Sequence, residues 1–170
     1  LKRAVEQKEI AVLGVDSAAL ACGGNPKDEE AALNYCNGLR SLGVTSLTLA
    51  HQTKDEDADK YPYGSVFWHN SVRATWNIKA PEETEGPVKH VGLFNRKGNE
   101  DMLHKPFGLR LSFDGEVVSV RREDLNDELA SHMGRAAQIR RFLKANGSRS
   151  VKQIAERKAC NPNIQWPTPI

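Results

Sequence analysis

The segments SLTLAHQTK (residues 46–54) and GSVFWHNSVRATWNIK (residues 64–79) decide how the chain is read. The first is an apolar, β-type run that stops at Ala50 and continues into a polar pair, His51 and Gln52. The second opens on Gly64, is helix-compatible to Val72, and alternates from Arg73 to Lys79 as a strand does. In an open α/β sheet, polar residues just beyond the carboxyl end of a parallel strand stand where ligands bind. His51 and Gln52 are therefore candidate readers of a bound group.

Upstream, IAVLGV (residues 10–15) is a short apolar run that ends at Asp16 and Ser17. Such a run predicts a strand buried on both faces. Gly23, Gly24, Asn25 and Pro26 break the chain. Pro26 followed by Lys27, Asp28, Glu29 and Glu30 predicts a helix start with acids in the first turn. The helix runs through Leu33, Cys36 and Leu39 and stops at Gly43. Val44 to Ala50 is the next strand, so residues 10–50 form a βαβ unit with parallel strands.

Downstream the pattern changes. Val88 to Arg96 and Phe107 to Phe113 read as antiparallel strands, and Asp114-Gly115 is a hairpin signal before Glu116 to Val120. From Leu125 the chain turns helical. Ala136, Ile139, Phe142 and Leu143 make an apolar stripe at helical spacing, and Asn146-Gly147 ends it. Ser150 is placed to cap a second short helix with Val151, Ile154 and Ala155. Two such helices begin a helix-turn-helix, whose third helix is not legible. Residues 161–170 hold three prolines and read as an extended tail. The expected fold class is α/β: a partial sheet of parallel strands followed by antiparallel strands, plus a small helical, helix-turn-helix-like appendage. The division expected is 1–122 and 123–170.

With 170 residues and 39% apolar content, the chain supports one α/β domain and an appendage. A formal charge of +2 does not by itself argue for nucleic acid. Cys22, Cys36 and Cys160 lack metal-ligand spacing and read as thiols in a reducing cytoplasm, the expected location. His69, His90, His104 and His132 are scattered and suggest no metal site. No apolar run reaches membrane-spanning length and no signal peptide opens the chain, so no membrane partner is expected. The chain enters at Leu1 on a charged, helix-like turn, and the natural start is expected upstream.

Taken together these segments resemble the C-terminal half of a RecA-like P-loop ATPase core, in its hexameric helicase and plasmid-replication branch. The resemblance spans roughly residues 10–120. IAVLGVDS resembles the Walker B strand, LTLAHQTK the following strand with its sensor position, GSVFWHNSVRATWNIK the Gly-led helix and strand after it, and HVGLFNRKGN a strand carrying basic residues toward a neighbouring subunit. The resemblance implies roles. Asp16 would orient a magnesium-bound water, and His51 and Gln52 would sense the terminal phosphate. Arg96 and Lys97 would reach the nucleotide of a neighbouring subunit, neutralising charge on the transferred phosphoryl group. It also implies a homo-oligomer and DNA as a partner. Lys54 could face that DNA, though Asp55, Glu56, Asp57 and Asp59 beside it repel phosphates. Arg140 and Arg141 are further, weaker DNA candidates.

No G-x-x-x-x-G-K-[ST] occurs in the 170 residues. The cradle for the β- and γ-phosphates is absent, and so is the segment that holds the family's catalytic glutamate. ATP and Mg2+ are therefore expected in a longer parent only, and the 170 residues alone are expected to be catalytically silent. In the family sheet the P-loop strand lies between the sensor strand and the strand that here runs from Arg73 to Lys79. Its absence predicts open edges, relieved by direct pairing of those strands, by the N-terminal helix, or by chain association. Two rival readings stand beside the ATPase. One is a non-catalytic module that assembles with itself or with a P-loop partner. The other is a DNA-binding regulator acting through the terminal helices.

Overall fold

The computed structural model describes residues 1–53, 61–81, 86–100 and 102–156, with the side chains of 155 and 156 excepted. The chain is mixed α/β. It divides into two compact units, Leu1–Asn77 with Asn95–Leu103, and Ile78–Phe94 with His104–Ile170.

The first unit opens on α1 (Lys2–Gln7) and β1 (Val12–Asp16). The strand starts two residues later than the apolar run suggests because Ile10 is used to close α1. Glu9 takes a positive φ of 51°, its N–H donates to the Glu6 carbonyl, and the Ile10 N–H reaches back to the Val5 carbonyl at 3.1 Å. This is the left-handed helix stop, with a non-glycine in the position glycine usually fills. A short α2 (Ala18–Ala21) and the longer α3 (Glu29–Ser41) follow, then β2 (Thr45–Leu49). Glu29 and Glu30 occupy the first turn of α3, and Gly43 takes φ 70° just past its end. Strands β1 and β2 are parallel, in register from Val12 opposite Thr45 to Asp16 opposite Leu49. The βαβ reading holds.

Pro26 does not open α3. Its carbonyl instead accepts from the Ser65 N–H at 3.0 Å and from the Trp68 indole N–H at 2.8 Å. Trp68 lies on α4 (Phe67–Asn70), a single turn that replaces the longer helix expected from Gly64 to Val72. Ala18, Ala32 and Trp68 form the buried cluster of this unit, with Cys22, Tyr35 and Phe67 packed against it. Tyr35 meets Trp68 edge-on at 5.4 Å and shares a 2.9 Å hydrogen bond with Thr48 of β2, which fastens α3 to one face of the small sheet.

The other face of that sheet corrects a sequence expectation. Val12 is 62% exposed, Leu47 64% and Leu49 48%, so the two strands are not buried on both faces. Nor does β2 pair with β3 (Ala74–Lys79), because the two lie in separate sheets.

The second sheet has the order β3, β4 (Val88–Gly98), β5 (Phe107–Asp114), β6 (Val117–Glu123). Strands β4–β5 and β5–β6 are antiparallel, and Gly115 with φ 56° makes the tight turn before β6, as the Asp-Gly pair predicts. In the second unit Phe94, Leu125, Leu129 and Ala130 form the core, with Met133 against it. Leu129 and Ala130 belong to α5 (Asp127–Ala130), capped by Asn126, whose side chain accepts from the Leu129 N–H at 2.8 Å. Two helices fall where the sequence places them, α6 (Arg135–Asn146) and α7 (Val151–Glu156). Ser150 and Gln153 cap α7 reciprocally: the Gln153 N–H donates to Ser150 Oγ and the Ser150 N–H to Gln153 Oε1. The third helix of a helix-turn-helix would lie beyond 156, outside the described residues, as does the proline-rich tail. No helix among the described residues is long and apolar enough to cross a membrane.

Candidate functional site

One hydrogen bond links the segment after β2 to β3 in the first unit, that of Gln52 with Asn77. Asp16 is the last residue of β1, in register with Leu49, and its carboxylate is exposed. His51 and Gln52 come one residue after β2, so Asp16 and this pair lie at the carboxyl ends of two neighbouring parallel strands. The backbone holds the pair in place. The His51 carbonyl accepts from the Tyr63 N–H at 2.7 Å, and Gln52 bridges to Pro62. The peptide bond between Asp16 and Ser17 is cis.

Strand β3 buries its polar side. Asn77 and Lys79 are buried and Thr75 is half-buried, whereas Trp76 and Ile78 turn outward, 39% and 54% exposed. Asn77 Nδ2 donates to Gln52 Oε1 at 3.0 Å, and Asn77 Oδ1 accepts from Arg96 Nη2 at 3.5 Å, the outer limit of such a bond. Arg96 Nε is shut off from solvent. A glutamine, an asparagine and an arginine thus form one line from the segment after β2 through β3 to β4. Asn95 braces it from below, donating through Nδ2 to the carbonyls of Thr75 (3.1 Å) and Lys97 (2.9 Å).

Lys97 turns toward α4. Its Nζ donates to the carbonyls of Asn70 at 2.7 Å and His69 at 3.1 Å. His69 shares a 3.1 Å hydrogen bond with Thr75 Oγ1 and meets the Tyr61 ring edge-on at 5.1 Å. Burial holds the His69 imidazole below its ordinary pKa, and the Lys97 ammonium lowers it further. The ring is therefore kept neutral beside a fixed cation.

The sequence-selected residues separate into groups. Gln52 and Arg96 are brought into one network; Asp16 and His51 are exposed; Lys97 is engaged by the end of α4. Lys54 lies outside the described residues. In the second unit Arg141 pairs with Asp127 at 3.4 Å, and Arg140 bonds its own helix at the Ala136 carbonyl. Among the described residues no group of three or more His, Cys, Asp or Glu is placed to hold a metal. Asn77 was not singled out by sequence. Its signal was the T-x-N-x-K alternation of β3, which marks a polar face without saying which face is buried. No family model, no curated protein and no solved structure matches the chain.

Proposed function

We propose that the chain is the C-terminal portion of a RecA-like ATPase core from a DNA-associated protein of replication, unwinding or repair. In this reading Asp16 orients a magnesium-bound water, and His51 and Gln52 read the terminal phosphate at the ends of the parallel strands. Arg96 supplies a guanidinium to phosphoryl charge on a neighbouring subunit. The observation that supports it is the Gln52–Asn77–Arg96 line: a residue selected as a phosphate sensor and one selected to act on a neighbouring subunit share a hydrogen-bond network. A planar amide coupled to a guanidinium can transmit the state of a bound phosphate to a basic strand. ATP supplies the phosphoryl group, and the phosphate cradle comes from a segment outside these 170 residues. The chain by itself does not hydrolyse ATP.

The reading frame ahead of Leu1 tests this. A G-x-x-x-x-G-K-[ST] segment is expected there, with ATP hydrolysis by the longer product that falls at least tenfold in Gln52→Ala, roughly 1.4 kcal/mol of transition-state stabilisation. A frame without that segment, or tight stoichiometric capture of ATP by the 170-residue chain, overturns the proposal.

The bare face of the small sheet favours a second reading. Val12, Leu47 and Leu49 present apolar surface that a P-loop partner or a second copy would cover. In that case the module assembles without catalysis, and light scattering finds a stable complex that Leu47→Ser disrupts.

A further inference from the structure

The sheet of the second unit carries a row of basic side chains that the nucleotide reading does not use. His90 of β4 lies opposite Arg110 of β5, and Arg110 lies opposite Arg121 of β6. Directly opposed residues of antiparallel strands project to the same face with Cα atoms only about 4.5–5.5 Å apart. Two arginines therefore leave the sheet from directly opposed positions on one face. Like charges in that position weaken a sheet. Both arginines are exposed, and neither has an ion pair or hydrogen bond among the described residues.

Among the described residues the nearby carboxylates do not relieve them. Glu123 lies on the same face but its Oε1 holds His90 Nδ1 at 2.5 Å. Asp114 also shares the face, four residues along β5 from Arg110, which is about 13 Å at strand rise and beyond the range of effective attraction in salt. The adjoining row is Ser112 opposite Ser119, two hydroxyls that accept or donate. Arg122 shows the contrast: it projects to the other face and is used on the Phe107 ring, 4.3 Å away. Strand β6 closes the sheet on this side and is exposed from Val117 to Arg122, so an extended ligand has an open approach.

We infer that the Arg110–Arg121 row, with Ser112 and Ser119, is a binding surface for the phosphate backbone of single-stranded nucleic acid. Paired guanidinium forks match phosphate oxygens, and serine hydroxyls commonly complete such contacts. The one aromatic ring in the two rows is the His90 imidazole, which Glu123 holds, so the phosphate contacts carry the binding and do not depend on sequence. The surface goes beyond the phosphate-reading role given to the first unit and stands or falls separately from it.

The test is the anisotropy of fluorescein-labelled dT20 and dA20 with the whole 170-residue chain, measured across a salt series. The wild-type chain is expected to bind both strands equally. In Arg110→Gln/Arg121→Gln the slope of log affinity against log salt becomes shallower by about 1.4, at about 0.7 per lost phosphate contact on single strands. The control Lys2→Gln/Arg3→Gln removes the same charge from α1 and leaves the slope within about 0.3 of wild type. Thermal midpoints of the same chains are read in parallel, together with Arg121→Gln alone on the edge strand. Neutralisation relieves repulsion, so the midpoint holds or rises. Equal loss of slope in both double variants, no binding of either strand by wild type, binding only to anionic lipid vesicles, or a midpoint that falls on neutralisation each overturns the inference. Failure of ATP hydrolysis in a longer product leaves this result unaffected.

Discussion

Asn77 donates its side-chain N–H to Gln52 Oε1 at 3.0 Å, joining the buried polar face of β3 to the residue that follows β2. The same asparagine accepts from Arg96, so one short side chain serves two partners, one after β2 and one on β4. An amide is suited to this because it offers a donor and an acceptor in one plane.

Replacing Asn77 therefore affects both partners at once. Asn77→Leu removes the donor to Gln52 and the acceptor from Arg96 at a buried position, and is expected to cost about 1–3 kcal/mol in urea unfolding. Asn77→Asp retains an acceptor for Arg96 and lets the Gln52 amide turn to donate, so it loses less. Equal loss in the two variants would mean that packing, not the polar line, sets the role of this residue.

Gly64 predicts a second, sharper effect. Its φ is 107°, and a Cβ there would overlap the Pro26 carbonyl, the group that anchors Ser65 and Trp68. Gly64→Ala is expected to destabilise by more than about 1 kcal/mol. Gly14, in the exposed face of β1, has no atom within 4 Å of the position a Cβ would take, and Gly14→Ala is expected to stay within about 0.5 kcal/mol of wild type. Chemical denaturation of the pair separates backbone constraint from a general intolerance of substitution.

His69 gives the chain a pH dependence of known sign. Burial, then Lys97, lowers its folded pKa below the ordinary 6.5. The unfolded chain thus takes up the proton first as pH falls. The stability contributed by the neutral ring is fully present above about 6.5 and declines as pH drops from there to the lowered folded value. The thermal midpoint of wild type should fall more steeply than that of His69→Gln between pH 7 and pH 5. Parallel curves would remove His69 as a source of acid sensitivity.

The sequence made the βαβ unit legible because each boundary carried its own chemistry: acids in the first turn of α3, Gly43 after it, and an apolar run on either side. The Asp114-Gly115 turn was legible for the same reason. Burial was harder to read. Alternation in β3 marks two faces but does not say which points inward, and here the polar face does, because Gln52, Arg96 and Asn95 satisfy it. The exposed face of β1 and β2 was hidden by the opposite error, since an apolar run looks the same whether or not a neighbour covers it. Pro26 was misleading as a helix start because its carbonyl is used by Ser65 and Trp68, contacts about forty residues away in the chain that no local pattern encodes.

Cysteine chemistry distinguishes the packed side of α3 from its surroundings. Cys36 lies on α3 at 4% exposure, and burial pushes its thiol pKa up, with Arg40 only partly opposing the rise. The thiolate is the reactive form, so both access and ionisation act against modification. Cys22 is half-buried, with its sulfur 3.2 Å from the Gly24 carbonyl. Alkylation of the native chain with iodoacetamide at pH 7.5, followed by peptide mass spectrometry, should modify Cys22 well before Cys36. In urea the two rates should converge, because unfolding removes the protection of Cys36. Native labelling of Cys36 as fast as Cys22 would show that α3 opens readily. That would in turn weaken the Tyr35–Thr48 bond as the tie between α3 and β2.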